Sequence, residues 1–372
     1  MKTQKKYTAA IIGTGRIGYS LGLDKKREQP ASHTFALKQN PRIKLVAGCD
    51  VNKENLDFWA KSNKGCRLYS NAAELFSKEK EIYGKVPDII TVAVNEAFHH
   101  EIALEAIKAK PLLVILEKPV ALNTAEAQEI KEMAQKYDVP VMINHERRFA
   151  RDYNLARSLI SQIGEIQSVT AELQSNLKVW AQKEEERGFY SLLHDGTHLV
   201  DIVLFLLNGS ASVVDLKNPV VSGLFFDSEH DLKNLTVSFE CSVCPSVTFK
   251  FSGRSSFFGF ELDILGTKGR IKIGNGFMEF YKSKTSKLYT GFRSLQKCEG
   301  FFFYNKDGKK ERAFIHNGKF AGKTKYFSGM VQNAVDSLDG KVVPGSTLDN
   351  GIEVLYILEQ IKDLIKKQAE KK

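Results

Sequence analysis

The stretch YTAAIIGTGRIGYSLG, residues 7–22, decides how the rest of the chain is read. It opens with an apolar run, Ala9 to Ile12, that has the character of a short buried strand. Gly13-Thr14-Gly15-Arg16-Ile17-Gly18 follows, the spacing G-x-G-x-x-G. In such a turn the first glycine permits the tight bend. The second lets the backbone approach a pyrophosphate, and the third lets a helix pack on the strand. The phosphate charge then meets the helix N-terminus. The motif alone is weak evidence. Placed directly after a strand, it makes residues 13–18 candidates for holding a dinucleotide.

Working outward, IKLVAGCD (43–50) reads as a second strand with Asp50 at its end. A carboxylate there accepts hydrogen bonds from ribose hydroxyls and repels a 2'-phosphate, which favours NAD. Asp50 follows Gly18 by 32 residues, against the usual ~20. The excess fits an insertion, LDKKREQPAS, ahead of a helix beginning near His33. Lys53 and Arg16 are close in sequence, so NADP stays open. The alternation continues with strands at 88–94, 112–120 and 139–144, separated by the helical segments HHEIALEAIKA and TAEAQEIKEMAQKY. Strand–helix alternation of this kind implies a parallel, doubly wound sheet.

Composition sets wide bounds. The chain has 372 residues, 42% hydrophobic and 26% charged, enough for two domains with real cores. No apolar run reaches the ~20 residues of a membrane-spanning helix. The basic start runs into glycines too soon for a signal peptide. We expect a soluble, cytoplasmic protein with no membrane partner. The net charge of +10 comes from dispersed lysines. A nucleic-acid-binding stripe would be concentrated on one element, so nucleic acid is not an expected partner. The five cysteines form no disulfide framework. Cys241 and Cys244 make a single C-x-x-C in a segment that alternates like a strand. Three residues apart on a strand, the two thiols face opposite sides, which leaves strand packing as their expected role.

The stretches VAVNEAFHHEIALEAI, VILEKPVALNTAEA and NHERRF, taken with GTGRIG, resemble the glucose–fructose oxidoreductase / inositol dehydrogenase (Gfo/Idh/MocA) family over the whole chain. Glu117-Lys118-Pro119 is the most specific mark. The resemblance implies that Lys118 reaches the substrate hydroxyl being oxidised, across a Lys118–Pro119 bond that is often cis. An ammonium group suits that place, because negative charge develops on the oxygen as hydride leaves its carbon. Val94 and Asn95 stand where the family often shows Thr-Pro, and their backbone is expected to flank the nicotinamide ribose. Glu96 is an unexpected charge there. His99 matches the family's histidine and is expected to be structural or cofactor-adjacent. Glu117 joins the expected cofactor-binding set. Arg147 is a candidate substrate contact, with a structural salt bridge equally open.

Beyond residue 150, long strands follow one another and imply a largely antiparallel sheet. The expected fold is therefore α/β: an N-terminal Rossmann doubly wound parallel sheet, plus a C-terminal α+β domain with a large, mostly antiparallel sheet. Residues 1–145 form the dinucleotide-binding domain and 146–345 the substrate-binding and oligomerisation domain. The resemblance implies that 346–372 is a helix packing back on the first domain. It also implies a homodimer or homotetramer through the sheet.

LLHDGTHLVD (192–201) carries His194, Asp195, His198 and Asp201. On one continuous helix, 100° per residue puts His194, His198 and Asp201 in a narrow sector. Three readings compete. His194 and His198 are an i, i+4 chelating pair, but no third ligand is evident, so no metal is expected. Asp195 and Asp201 can be capping or core groups. The third reading is catalytic, and the resemblance supports it. His198-x-x-Asp201 matches the family's histidine base and its partner, and an imidazole titrates near neutral pH. His194 stands where relatives often carry Asp, so it and Asp195 are further candidates, His194 also for substrate contact. Trp180, Arg187 and Tyr190 are candidates for lining the cleft.

The expected activity is an NAD(P)-dependent dehydrogenase acting on CH–OH donors. Hydride moves between a sugar, sugar-nucleotide or polyol carbon and nicotinamide, while Lys118 and His198 handle the hydroxyl proton. An NAD-dependent glycoside hydrolase and a non-catalytic NAD-responsive regulator are the alternatives.

Overall fold

The structure is a computed structural model of the chain. It describes residues 5–176, 191–208, 214–228, 231–285, 293–304, 310–316, 319–320 and 322–369. Two compact units emerge. One joins Met1–Ala150 to Lys325–Leu355, and the other joins Arg151–Thr324 to Tyr356–Lys372.

The first unit is built on β1 (Tyr7–Ile12), β2 (Ile43–Cys49), β3 (Arg67–Tyr69), β4 (Ile89–Val92), β5 (Leu113–Leu116) and β6 (Val141–Ile143). All pair in parallel, in the order β3-β2-β1-β4-β5-β6. Every residue of β4 and β5 is buried, as expected where helices cover both faces. The order reverses between β1 and β4, the point at which open parallel sheets bind ligands beyond the strands' carboxyl ends. Several helices start on asparagine. Asn71 accepts from the Glu74 N–H and Asn123 from the Glu126 N–H, while each glutamate reaches back to a backbone N–H just before the helix.

The inserted segment lies between the two pieces of one helical path. Tyr19 N–H bonds to the Gly15 carbonyl at 2.9 Å, which begins a helical turn. The chain then leaves through residues 20–32 and re-enters at helix His33–Gln39. There His33 N–H donates to Ile17 O (3.2 Å) and Thr34 N–H to Gly18 O (3.0 Å). The extra length ahead of Asp50 is thus an excursion out of the first helix.

The first unit is completed from far along the chain. Helix Tyr326–Leu338 buries Phe327, Met330, Val331, Ala334 and Val335 in a core with Ala9, Leu37, Ile115 and Met142. Beyond it, Asp339 accepts a bidentate pair from Arg42 (2.8 and 2.7 Å) and the Tyr7 hydroxyl (2.8 Å). This differs from the expected boundaries, in which only residues 346–372 return. The returning element is mainly helix 326–338, whose apolar face matches the sheet. The last helix, Leu348–Ala369, divides between the units. Gly351 lies against Val120 and Ile143, whereas Leu358 lies against Gly196 and the Gln368 amide donates to the Val221 carbonyl.

The second unit holds β7 (Ile166–Gln174), β8 (Leu216–Phe226), β9 (Leu232–Cys241), β10 (Val247–Ser252), β11 (Gly259–Gly266), β12 (Gly269–Gly274), β13 (Phe277–Thr285) and β14 (Arg293–Lys297). They form one sheet in the order β14-β13-β12-β11-β7-β10-β9-β8, antiparallel except for the β7–β10 pair. Burial alternates along the strands. In β10, Val247, Phe249 and Phe251 are buried and their neighbours half-exposed. Helix Gly196–Leu207 packs on the buried face, where a Cβ at Gly196 would stand 3.3 Å from Phe251.

One expectation about this sheet is corrected. Strand β9 ends at Cys241, and residues 242–245 bend to start β10. The side-to-side alternation stops there, so the thiols of Cys241 and Cys244 do not point apart. The two thiols interact with each other, and Cys244 Sγ donates to the Ser246 carbonyl at 3.5 Å.

Candidate functional site

The glycine turn follows β1 with the geometry the motif demands. Gly13 has φ +93°, and a Cβ there would sit 2.3 Å from the Ala93 carbonyl oxygen. A Cβ on Gly18 would lie 2.0 Å from the Gly13 carbonyl, so the third glycine is forced by close packing. Gly15 differs. Its nearest neighbour would be the Asn55 amide nitrogen at 3.5 Å, an ordinary contact. The space beside Gly15 is open, as a pyrophosphate cradle requires. Arg16 is exposed next to it, and Ile17 packs into the core.

Asp50 stands just past β2, half-buried. Its Oδ2 accepts from the Thr14 N–H (2.7 Å) and the Thr14 hydroxyl (3.0 Å), and Oδ1 from the Asn52 N–H (2.9 Å). The carboxylate braces the glycine turn itself. Oδ2 thereby takes two bonds and Oδ1 one, which leaves Oδ1 a lone pair for a further donor.

After β4, Asn95 caps a short turn by accepting from the Ala97 N–H (3.1 Å), and Glu96 is buried beside it. His99 is buried between two turns. Its Nδ1 donates to the Pro119 carbonyl (2.5 Å), and its Nε2 lies 3.3 Å from the Val94 carbonyl. Burial lowers its pKa and keeps the ring neutral, with one N–H to give. His99 therefore fastens the loop after β4 to the loop after β5. The hydrogen bonds of His99 are those of a structural residue.

After β5 the Lys118–Pro119 bond is cis, and Lys118 is half-buried at the turn. Its neighbour Glu117 is anchored inward. His33 Nε2 and the Asn144 amide both donate to Glu117 Oε1 at 2.5 Å, and the Lys118 N–H to Oε2 at 3.3 Å. Burial pushes this carboxyl up, but the His33 and Asn144 bonds and the Lys118 charge outweigh it and hold the group at about 2. His33 and Asn144 were not among the sequence candidates. Nothing local marks His33, since it opens a helix, and Asn144 only ends a strand. Their convergence needs β5, β6 and the first helix in place.

The depressed value has a measurable consequence. Glu117 titrates near 4.5 when unperturbed and near 2 when folded. Its contribution is complete above pH 4.5 and is lost as pH falls toward 2, at about 1.4 kcal/mol per unit of gap. Glu117→Gln is expected to be less stable than wild type at pH 7 and to lose that deficit between pH 4.5 and 2. Urea unfolding across that range measures it. A constant difference between the two proteins would rule the carboxylate out as the source.

In the second unit the His/Asp segment is not one continuous helix. Helix Ser191–His194 ends, and Gly196–Leu207 begins after Asp195. The cause is local. The Thr197 hydroxyl takes the Leu193 carbonyl, and His198 N–H bonds to Asp195 O at 3.1 Å, a tighter i−3 link. His194 thus belongs to a different helix from His198 and Asp201, and it is exposed. His198 is half-buried one turn before the buried Asp201. Asp195 makes no capping hydrogen bond, and its Oδ2 is buried without a partner. Among the described residues no group of three or more His, Cys, Asp or Glu could hold a metal. Arg147 is half-buried in the turn Glu146–Phe149 of the first unit. Trp180, Arg187 and Tyr190 lie outside the described residues.

Within the first unit, Gly13–Gly18, Asp50, Val94–Asn95 and Glu117–Lys118 all follow the carboxyl ends of parallel strands. Comparison with known proteins agrees. Residues 7–145 match the family described as "Oxidoreductase family, NAD-binding Rossmann fold". Glucose-6-phosphate 3-dehydrogenase of Bacillus subtilis (strain 168) is 24% identical over 277 residues, 68% of this chain and 73% of that protein. The 2,7-anhydro-N-acetylneuraminate hydratase of Mediterraneibacter gnavus is 25% identical over 349 residues, 87% of this chain and 85% of that protein. The crystal structure of the WlbA dehydrogenase from Bordetella pertussis, in complex with NADH and UDP-GlcNAcA, has the same fold. Its TM-score is 0.67 at 18% identity, over 98% of both chains. Residues 7–145, with their glycine turn and their Glu117-Lys118-Pro119 loop, match the NAD-binding Rossmann domain of the Gfo/Idh/MocA oxidoreductases.

Proposed function

We propose that the protein is an NAD-dependent dehydrogenase acting on a hydroxyl carbon of a sugar, sugar nucleotide or polyol. The observation that carries this reading is the Lys118 turn. Its neighbour Glu117 is anchored in the core by His33 and Asn144, at the same sheet edge as the open glycine cradle. Relatives named as sugar dehydrogenases support the substrate class.

Gly13–Gly18 would hold the pyrophosphate and Asp50 the adenosine ribose. Val94 and Asn95 would flank the other ribose. When bound, the nicotinamide supplies a hydride acceptor. Lys118 stabilises charge on the substrate oxygen, and His198 takes its proton, oriented by Asp201. Asp195, with a buried oxygen lacking a partner, accepts from a sugar hydroxyl. His194 and Arg147 are contacts for the more distant parts of the substrate. We read the protein as a homo-oligomer through the second unit's sheet, where Val220 and Phe225 are exposed on β8.

A screen of sugars, sugar nucleotides, inositols and sugar acids with NAD and NADP, following absorbance of the reduced cofactor, tests the reading. Net NADH formation supports it. Release of an aglycone or an anhydro-sugar product without net NADH would instead indicate hydrolase or hydratase chemistry on the same scaffold. Asp50 sets the cofactor choice. Asp50→Ala is expected to weaken NAD binding about 10–100-fold, because it removes charge-assisted bonds to the ribose and the brace on Thr14. NADP should lose much less. Titration of both nucleotides checks this, and an equal loss for both would deny Asp50 the ribose contact.

A further inference from the structure

The cysteine pair is not used by the chemistry above, and the structure gives it a different setting from a strand interior. Cys241 ends β9 half-buried, and Cys244 is buried in the four-residue bend before β10. The bend is held on both sides. Asp215 N–H donates to the Ser242 hydroxyl (3.1 Å), and Ser242 N–H donates to the Asp215 carbonyl (3.2 Å). Cys244 Sγ lies 3.5 Å from the Ser246 carbonyl, so its side chain stays inside the bend. The Val243 and Cys244 backbone N–H groups and the Cys244 thiol lie around the Cys241 sulfur and favour its thiolate. A sulfur ringed by donors is stabilised as thiolate.

We propose that Cys241 and Cys244 form a reversible dithiol–disulfide site at the β9–β10 turn, whose oxidant is a low-molecular-weight disulfide. The Cys241 thiolate attacks one sulfur of that disulfide. The S–S bond breaks, and one thiolate departs. Cys244 gives its proton to solvent and attacks the Cys241 sulfur, which expels the second thiolate and closes the Cys241–Cys244 bond. Two protein thiols lose two protons and two electrons, and the incoming disulfide becomes two thiols.

The order of attack follows from the environment. The neighbouring Cys244 thiol lowers Cys241, with burial opposing it in part. The neighbouring Cys241 sulfur, with burial, raises Cys244. Cys49 and Cys66 are raised by burial, so neither competes as a nucleophile. Among the described residues no further ligand joins the pair to complete a metal site.

The test uses the full-length protein and oxidised glutathione. Wild type should become two hydrogens lighter in intact mass, with peptide mapping placing the bond between Cys241 and Cys244 and dithiothreitol reversing it. Cys244→Ser should stop at a glutathionyl adduct on Cys241, and Cys241→Ser should gain neither bond nor adduct at Cys244. Mapping of the wild type needs no variant to fold. Five free thiols after oxidation, or a lasting glutathione adduct in wild type, would overturn the proposal. So would a stoichiometric zinc ion that survives dialysis and is lost in Cys241→Ser.

Discussion

Lys118→Met is expected to lower kcat on the substrate found by screening by about 10²–10³-fold, with NAD affinity nearly unchanged. Methionine keeps the length and apolar stem of lysine and removes only the ammonium group. Glu117 remains held by His33 and Asn144, and the cis turn at Pro119 remains fastened by His99. The loss should therefore fall on the chemical step rather than on the fold or the cradle. Steady-state kinetics with a separate NAD titration resolves the two. His198→Asn should fall in the same direction under the proposed division of labour. A Lys118→Met enzyme within about threefold of wild type would remove Lys118 from the chemistry, since a single electrostatic donor ordinarily supplies more than that.

Gly13→Ala is expected to destabilise the first unit by about 3–5 kcal/mol, a loss reserved for backbone strain or core disruption. The left-handed φ of +93° alone disfavours any side chain. The added methyl would also meet three backbone atoms, Ala93 O at 2.3 Å, Ala93 C at 2.5 Å and Val94 N at 2.8 Å. These lie just past β4, where the chain is pinned to β1 by the Ala93 N–H to Ile12 O bond at 2.7 Å, so the backbone has little room to yield. Gly15→Ala is the informative contrast. Its methyl meets only Asn55 at 3.5 Å, so stability should hold while NAD binding falls, because the methyl fills the cradle. Urea unfolding and NAD titration on both variants give the comparison. Equal stability losses would mean that the two glycines do not divide fold and cofactor roles.

How far the sequence could be read depended on whether the information was local. The β1 strand, its glycine turn and Asp50 are local, and the longer gap before Asp50 correctly pointed to inserted residues ahead of His33. The strands of the parallel sheet are near-continuous apolar runs and were legible apart from β3. That edge strand has three residues, Arg67, Leu68 and Tyr69, too few to show a period. The Lys118–Pro119 turn was legible through resemblance. The His33–Glu117–Asn144 cluster was not, because its members are 84 and 27 residues apart and meet only across three elements. Periodicity misled in two places for one reason: a regular element was extended past its end. Thr197 interrupts the helix before His198, and the bend after Cys241 brings together thiols that a strand would separate.

The clasp of Asp339 by Arg42 and Tyr7 bears on the order in which the protein is made. The apolar face of the first sheet is covered by Met330, Val331 and Ala334, which leave the ribosome long after β6. Every strand of the second unit's eight-stranded sheet is synthesised before them. The nascent first unit must therefore wait with an uncovered seam while that sheet is made, and its own sheet stays open on one face until helix 326–338 is synthesised.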